Sequence, residues 1–433
     1  MVSISTATKT SNPDLLSEGA TASVNEEFFG ELVENYGSPL YAYDLNEVSK
    51  RCAELKSFFP TGTSSRLMYS FKANPLPSVA GELHRNGCEA DLTSAGEIAA
   101  AIEAGFDLSN ALYGGPGKSV GEIDFAIENG IRQFSIESWT DLSIISSAAE
   151  KADVTVRGLF RVNPLEAPKA KLAMSGVASQ FGFEEDCLLG ANPCRMQDIK
   201  GIVDIVGVHI YWGTQVGGPD ELLACFTSAV ETAQKISRRL DFPLQVLNFG
   251  GGFPWPYSHV GSGPDLSPLR EGLAELLLKS DEARDAEWWF ESGRYLVASS
   301  GTLLTRVMDI KESKGKKYLI LDTGIHHLGG MSGLGRIPRF NIDIEVPGIR
   351  RDRTETQFDV VGQLCTPLDC IGRKISLPEL QIGDLVTVPN TGAYGLTGSV
   401  IGFLSRPTPV EVAYRHGEIE AVYQMRSGHE KIS

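Results

Sequence analysis

The chain of 433 residues has little positive charge, few histidines and no paired cysteines. Lysine and arginine total 39 against 55 aspartates and glutamates, a formal charge of -16. A protein this acidic lacks the electrostatic footprint of a nucleic-acid or anionic-membrane binder. An anionic ligand must therefore be held locally, by glycine loops or single arginines. The seven cysteines are odd in number and scattered, with no Cys-x-x-Cys pair. That excludes a disulfide framework and points to a reducing cytoplasm. Cys365 and Cys370 have no second Cys/His pair at zinc spacing, so no metal site is expected. No apolar run reaches membrane-spanning length. The opening MVSISTATKTSNPDLLSEGATASVNEE lacks the apolar segment of a signal peptide, and 1–24 reads as a flexible tail. Internal repeats are absent.

What is present is enough for two domains, with 42% hydrophobic residues to fill their cores. A helix over Glu26–Asn35 and a strand over Leu40–Tyr43 make a segment, 25–44, that joins the later β region. From Leu45 to about Ser299, strand and helix patterns alternate. The strand candidates are Arg66–Ser70, Cys88–Leu92, Ala111–Tyr113, Gln133–Ile136, Val154–Val162, Ile202–Tyr211, Gln245–Phe249 and Trp288–Phe290. Helical stretches such as Ala95–Ala104, Val120–Asn129 and Glu221–Arg239 lie between them. This is an α/β pattern with the count of a (β/α)8 TIM-like barrel over 45–300; a doubly wound sheet also fits it. Beyond Gly301 the pattern changes to strands alone, over Leu303–Ile310, Lys317–Leu321, Asn341–Val346, Phe358–Val361, Leu385–Val388 and Val410–Tyr414. Turn signals separate them, so 301–433 reads as a β-rich domain sharing a crevice with the barrel end.

Lys72, in Tyr69-Ser70-Phe71-Lys72-Ala73-Asn74-Pro75, sits where a strand ends and a helical stretch begins. Barrels collect catalytic residues at such strand ends. Burial there is expected to lower the lysine pKa and free the amine for an aldehyde cofactor. A solvated surface lysine is the plain alternative. Gly250-Gly251-Gly252 follows another strand, where backbone N–H groups can ring a phosphate; a tight turn fits a glycine triplet as well. Glu291-Ser292-Gly293-Arg294 sets a carboxylate and a guanidinium together, for a site or for an ordinary ion pair. In His209-Ile210-Tyr211-Trp212-Gly213-Thr214-Gln215, His209 and Tyr211 share one face, as site wall or as interior packing. Cys365, before a turn, is an acid, a nucleophile or a buried hydrophobe. His326-His327 reads as turn or site wall.

Taken in order, these segments resemble the fold-type III pyridoxal-phosphate decarboxylases, which include diaminopimelate, ornithine and arginine decarboxylases. The matching motifs are Lys72-Ala73-Asn74, Tyr211 to Gln215, Gly250 to Gly252, Glu291 to Arg294, Cys365 to Asp369 and Ala393-Tyr394-Gly395, within about Leu40 to Tyr414. The resemblance implies an alanine-racemase-like barrel, pyridoxal 5'-phosphate as cofactor, an amino-acid substrate and a homodimer with shared sites. Lys72 would form the Schiff base. Gly251, Gly252, Thr214 and Tyr394 would hold the phosphate, beside Gly293 and Arg294. Glu291 would face the pyridine nitrogen, with Asp91 and Arg161 beside the ring. Cys365 would reach across the dimer to protonate the product carbanion, and Arg294 and Tyr394 would contact substrate. A carboxylate at the pyridine nitrogen keeps it protonated and favours decarboxylation; racemases of this fold typically place arginine there.

Three departures narrow the substrate. The usual ring-stacking histidine is Tyr211, which keeps an aromatic face and loses a cation that His209 could partly replace. The residue after the cysteine, usually acidic, is Thr366, so a distal ammonium would lose a partner worth roughly 1.5–3 kcal/mol. The usual R-P-x-L-Y segment is replaced by Gly335 to Asn341, with Arg336 and Arg339 near the expected substrate pocket. These features suit a substrate whose far end is neutral or anionic. They resemble the secondary-metabolism branch, which includes the butirosin-pathway decarboxylase of glutamate tethered to an acyl carrier protein and siderophore-pathway decarboxylases of citryl-diamino acid conjugates. The competing readings are diaminopimelate decarboxylase proper, a racemase of the same fold, and a non-catalytic protein that only binds the cofactor.

Overall fold

The computed structural model describes residues 18–165, 178–193, 199–329, 341–347, 355–426, 428–429 and 431. Strand β1 (Leu40–Asp44) precedes a run of parallel strands. These are β2 (Ser65–Ser70), β3 (Glu89–Leu92), β4 (Leu112–Tyr113), β5 (Gln133–Ile136), β6 (Val156–Asn163), the two-residue β7 (Phe183–Glu184), β8 (Val203–His209), β9 (Val246–Asn248) and β10 (Glu287–Ser292). Their order is β5-β4-β3-β2-β10-β9-β8-β6, and β6 pairs back to β5, so eight parallel strands close a barrel. β7 is added to β6 outside that ring.

The period of two in these strands explains where the polar residues go. Met68, Leu112, Leu159, Val206, Val246 and Trp289, each from a different strand, pack into one buried cluster that plugs the barrel. Alternate residues such as Leu67, Phe160 and Trp288 belong to the larger core under the helices. Two residues beyond Met68, Leu159 and Trp289 come Ser70, Arg161 and Glu291, which form a polar layer above the plug. The helices that follow start at Ser94, Ser119 and Ser138, whose side chains accept the backbone N–H of Glu97, Glu122 and Asp141. Each such cap contributes about 1 kcal/mol.

The second sheet uses β11 (Gly301–Ser313), β12 (Lys316–Leu321), β13 (Glu355–Val361), β14 (Cys370–Pro378), β15 (Leu385–Val388), β16 (Val410–Arg415) and β17 (Glu418–Gln424). β1 lies in its middle, antiparallel to β11 and parallel to β16. The loop after β15 reaches the barrel mouth: Tyr394 N–H donates to Ala73 O at 2.7 Å, and Asn74 Nδ2 donates to Gly392 O at 2.9 Å. The turn that carries Lys72 is thus clamped between the two domains.

Three expectations need correction. The first helix spans Glu18–Tyr36, so residues 18–24 are helical rather than tail, and 1–17 lie outside the described residues. Asn341–Val346 is not a strand. Within it only Glu345 pairs, with Thr387, while Asp343 N–H turns to Ser258 O, so no ladder forms. β14 and β17 were not anticipated from the sequence.

Candidate active site

Lys72 lies in a short 3-10 turn, Phe71–Ala73, directly after β2. Its side chain is 46% exposed, open to a recess of about 390 Å³ at the barrel mouth. Asp91, Arg161, His209, Tyr211 and Glu291 line the same recess. A smaller recess adjoins it, lined by Thr214, Gly251, Gly252, Ser292, Gly293, Arg294 and Tyr394, with Lys72, Tyr211 and Glu291 common to both. Gly293 has to be glycine, because a Cβ there would meet the Ala73 Cβ at 2.7 Å and push the Lys72 turn away.

The electrostatics reverse one expectation. Burial acts to lower the Lys72 pKa, but the Asp91 and Glu291 carboxylates together outweigh it and raise the value, so the resting group is an ammonium. Its Nζ is 3.9 Å from Asp91 Oδ2 and lies over the Tyr211 ring, 5.8 Å from its centre. Asp91 is raised by burial and by Glu291, against the pull of Lys72, and its Oδ2 accepts the Ser70 hydroxyl at 2.7 Å. His209 does not replace the missing cation. Burial and the Arg161 guanidinium hold its pKa well below the usual histidine range, so the ring is neutral.

Arg161 Nη1 donates to Glu137 Oε1 at 2.9 Å and packs over Phe181 at 4.8 Å and Tyr211 at 6.0 Å. Glu137 Oε2 also accepts the Gly182 N–H at 2.7 Å. Its own N–H is held by Asp141, which pairs with the buried Lys118 at 2.6 Å. Asn248 Nδ2 donates to Glu291 Oε1 at 2.8 Å. Ser135, Glu137, Asn248, Lys118 and Asp141 escaped the sequence reading. The available signal was position: Ser135, Glu137 and Asn248 stand at the carboxyl ends of β5 and β9.

The Arg294 guanidinium lies over the Tyr394 ring at 4.8 Å and the Tyr257 ring at 5.7 Å, and its Nε is buried without a hydrogen-bond partner. Cys365 and Thr366 are elsewhere. They belong to a loop closed by Asp369, whose Oδ2 accepts Leu364 N–H at 2.8 Å and whose Oδ1 accepts Ile325 N–H at 2.9 Å. Cys365 is exposed, and neither residue lines the Lys72 recess. Arg336 and Arg339 lie outside the described residues. His326 and His327 are buried in a turn and line neither recess. Among the described residues no His/Cys/Asp/Glu cluster is suited to a metal ion, and no helix is long and apolar enough to cross a membrane.

The family model of the pyridoxal-dependent decarboxylases, pyridoxal binding domain, matches residues 45–298. The chain belongs to this family. It is 32% identical to the L-glutamyl-[BtrI acyl-carrier protein] decarboxylase of Niallia circulans, over 90% of this chain and 92% of that one. It is 28% identical to the diaminopimelate decarboxylase of Zymomonas mobilis, over 88% and 89%. The crystal structure of Helicobacter pylori diaminopimelate decarboxylase with L-lysine superposes with a TM-score of 0.80 at 26% identity, covering 92% of this chain and 97% of that one. The decarboxylase is therefore a pyridoxal-phosphate enzyme with a barrel and a β domain. Its side chains fit the cofactor. The smaller recess holds two buried polar atoms without protein partners, Arg294 Nε and Ser292 Oγ, among glycines that leave the backbone open to a phosphate. An amine stands at the junction of the two recesses and a carboxylate at their floor.

Proposed function

We propose that this decarboxylase acts on a modified, conjugated or carrier-tethered amino acid in secondary metabolism. Thr366 carries the reading. It stands where the family usually has an acidic residue, and its hydroxyl is taken up within its own loop by Leu368 N–H at 3.3 Å. The carboxylates that line the Lys72 recess, among the described residues, are Asp91 and Glu291, both beside Lys72. No carboxylate there is left for a distal ammonium. The similarity to the glutamyl-carrier-protein enzyme points the same way.

The geometry supports a role for each residue of the site. Pyridoxal phosphate, when bound, supplies the electron sink for the pair left as CO2 departs. Lys72 would present its amine to the cofactor aldehyde, and Asp91 Oδ2, a carboxylate with raised proton affinity 3.9 Å away, would accept the proton it must shed. Thr214, Gly251, Gly252, Gly293, Arg294 and Tyr394 hold the phosphate. Tyr211 would cover one ring face, Arg161 would flank the ring and Glu291 would meet its nitrogen. Cys365 serves a second copy of the chain. It is exposed, as is Leu368 at 49%, and Val400, Phe403 and Leu404 expose further apolar surface in a second loop. Arg406 Nη1 ties the two loops together through Gln363 Oε1 at 2.7 Å. Exposed apolar side chains on two linked loops suit a subunit interface.

The second reading, diaminopimelate decarboxylase, is favoured by the superposition on that enzyme. Released CO2 separates the two. Purified, cofactor-loaded protein is given diaminopimelate, ornithine, lysine, arginine, glutamate, carrier-tethered glutamate and citryl-diaminopropionate. Release from a conjugate alone supports the proposal. Diaminopimelate turnover at an ordinary decarboxylase rate overturns it.

A further inference from the structure

Glu291 is buried, and its Oε1 is approached from two sides. Asn248 Nδ2 donates to it at 2.8 Å, and His209 Nε2 lies 3.2 Å away. On the other side of the imidazole, Nδ1 lies 2.8 Å from Ser135 Oγ. His209 is 3% exposed, so its ring has almost no recourse to water. A neutral imidazole carries one N–H, and its neighbours decide which nitrogen holds it. Placing the proton on Nδ1 would set a bare Nε2 lone pair against a carboxylate oxygen, two buried acceptors facing each other. The favourable tautomer has Ser135 donating to Nδ1 and Nε2–H directed toward Glu291. This N–H is too poorly aligned to make a full hydrogen bond to Glu291, and among the described residues no other acceptor meets it. Buried donors are rarely left so, and catalytic hydrogen bonds often tighten only in the loaded site.

We propose that Ser135 and His209 form a neutral relay which, with Asn248, fixes the Glu291 carboxylate in the orientation that meets the cofactor's ring nitrogen. The inference rests on Glu291 being the ring-nitrogen partner. It makes Ser135 and His209 positioning residues, and it gives His209 a task other than stacking on the ring. The need for such a device is visible nearby: Asp91 is a second buried carboxylate, and its repulsion of Glu291 favours turning Glu291 aside. Two donors on Oε1 oppose that. A neutral donor also leaves the charge of Glu291 uncancelled, so it stays available to a ring N–H⁺.

The test loads full-length protein with pyridoxal phosphate labelled with 15N at the ring and records the nitrogen resonance, the visible absorption band and the cofactor affinity. Parental protein is expected to show a protonated ring nitrogen. Ser135→Ala, a small change that preserves packing, is expected to weaken cofactor binding roughly two- to tenfold and to move the resonance toward the unprotonated position. His209→Phe is expected to do so more strongly, and His209→Gln, which keeps an amide donor, to restore part of the loss. If Ser135→Ala and His209→Phe keep the parental resonance and affinity while Glu291→Gln loses them, the relay is refuted and the Glu291 assignment stands. If Glu291→Gln also keeps them, the Glu291 assignment fails and the relay falls with it.

Discussion

Around Lys72 the charged side chains are tied to partners: Asp91 to Ser70, Arg161 to Glu137, Glu291 to Asn248. The loop from Gly362 to Asp369 is built differently. Asp369 pins its backbone, yet Cys365 and Leu368 are exposed. One region has its charged groups held within the chain, by barrel residues and by the β-domain loop that carries Tyr394. The other is a mount, pinned through its backbone, for exposed side chains. The contrast is the one expected if, as proposed, the cofactor sits at the barrel mouth and Cys365 acts at a surface that a second copy completes.

Breaking the barrel side should have the largest effect. Lys72→Ala is expected to cut CO2 release on the order of 10³-fold or more, with the fold intact by circular dichroism. Retention of full activity would remove the Schiff-base assignment. Cys365→Ser comes next, with turnover down by about 10²-fold and cofactor affinity unchanged. A fall in affinity would place Cys365 in the binding recess after all. Thr366→Glu sharpens the comparison by restoring the family's acidic residue. Diaminopimelate turnover is expected to rise roughly tenfold or more through a lower KM, and no gain would show that Thr366 does not face the substrate's far end.

The smallest effect belongs to the β domain alone. Burial pushes the Glu411 carboxyl up to about 7, against the hydrogen bond from the Tyr43 hydroxyl. Its folded value lies above its unfolded one, so between them the folded state binds more protons. Stability is therefore full below the unfolded value and is lost as pH rises through about 7. Glu411→Gln should raise the melting temperature relative to the parent at about pH 8 and leave it nearly unchanged at about pH 4. An equal shift at both would show that Glu411 is not the titrating group.

The barrel was legible in the sequence because its strands are short, apolar on both faces and separated by helices with clear start signals. The strand over Gln133–Ile136 was located to the residue. β14 was hidden because Gly372 and Lys374, the latter with φ 54, interrupt its alternation. β17, Glu418–Gln424, is an edge strand whose residues are exposed or half-exposed, so it shows no apolar face to find. Motif residues such as Glu291 and Tyr394 could be named because each stands in a recognisable run. Ser135 and Glu137 could not, since they matter only through His209 and Arg161, which are distant in sequence and become neighbours when the barrel closes. The direction of the Lys72 pKa shift depends on how closely Asp91 and Glu291 approach it, which their membership of the same site does not give.

The division of labour between barrel and loop is tested most directly by mixing two inactive proteins, Lys72→Ala and Cys365→Ala, after subunit exchange. If Cys365 acts on the partner's cofactor, each mixed dimer regains one intact site, and CO2 release should recover to roughly a quarter of the parental rate. No recovery in a mixture whose subunits have demonstrably exchanged would contradict a site shared between two chains.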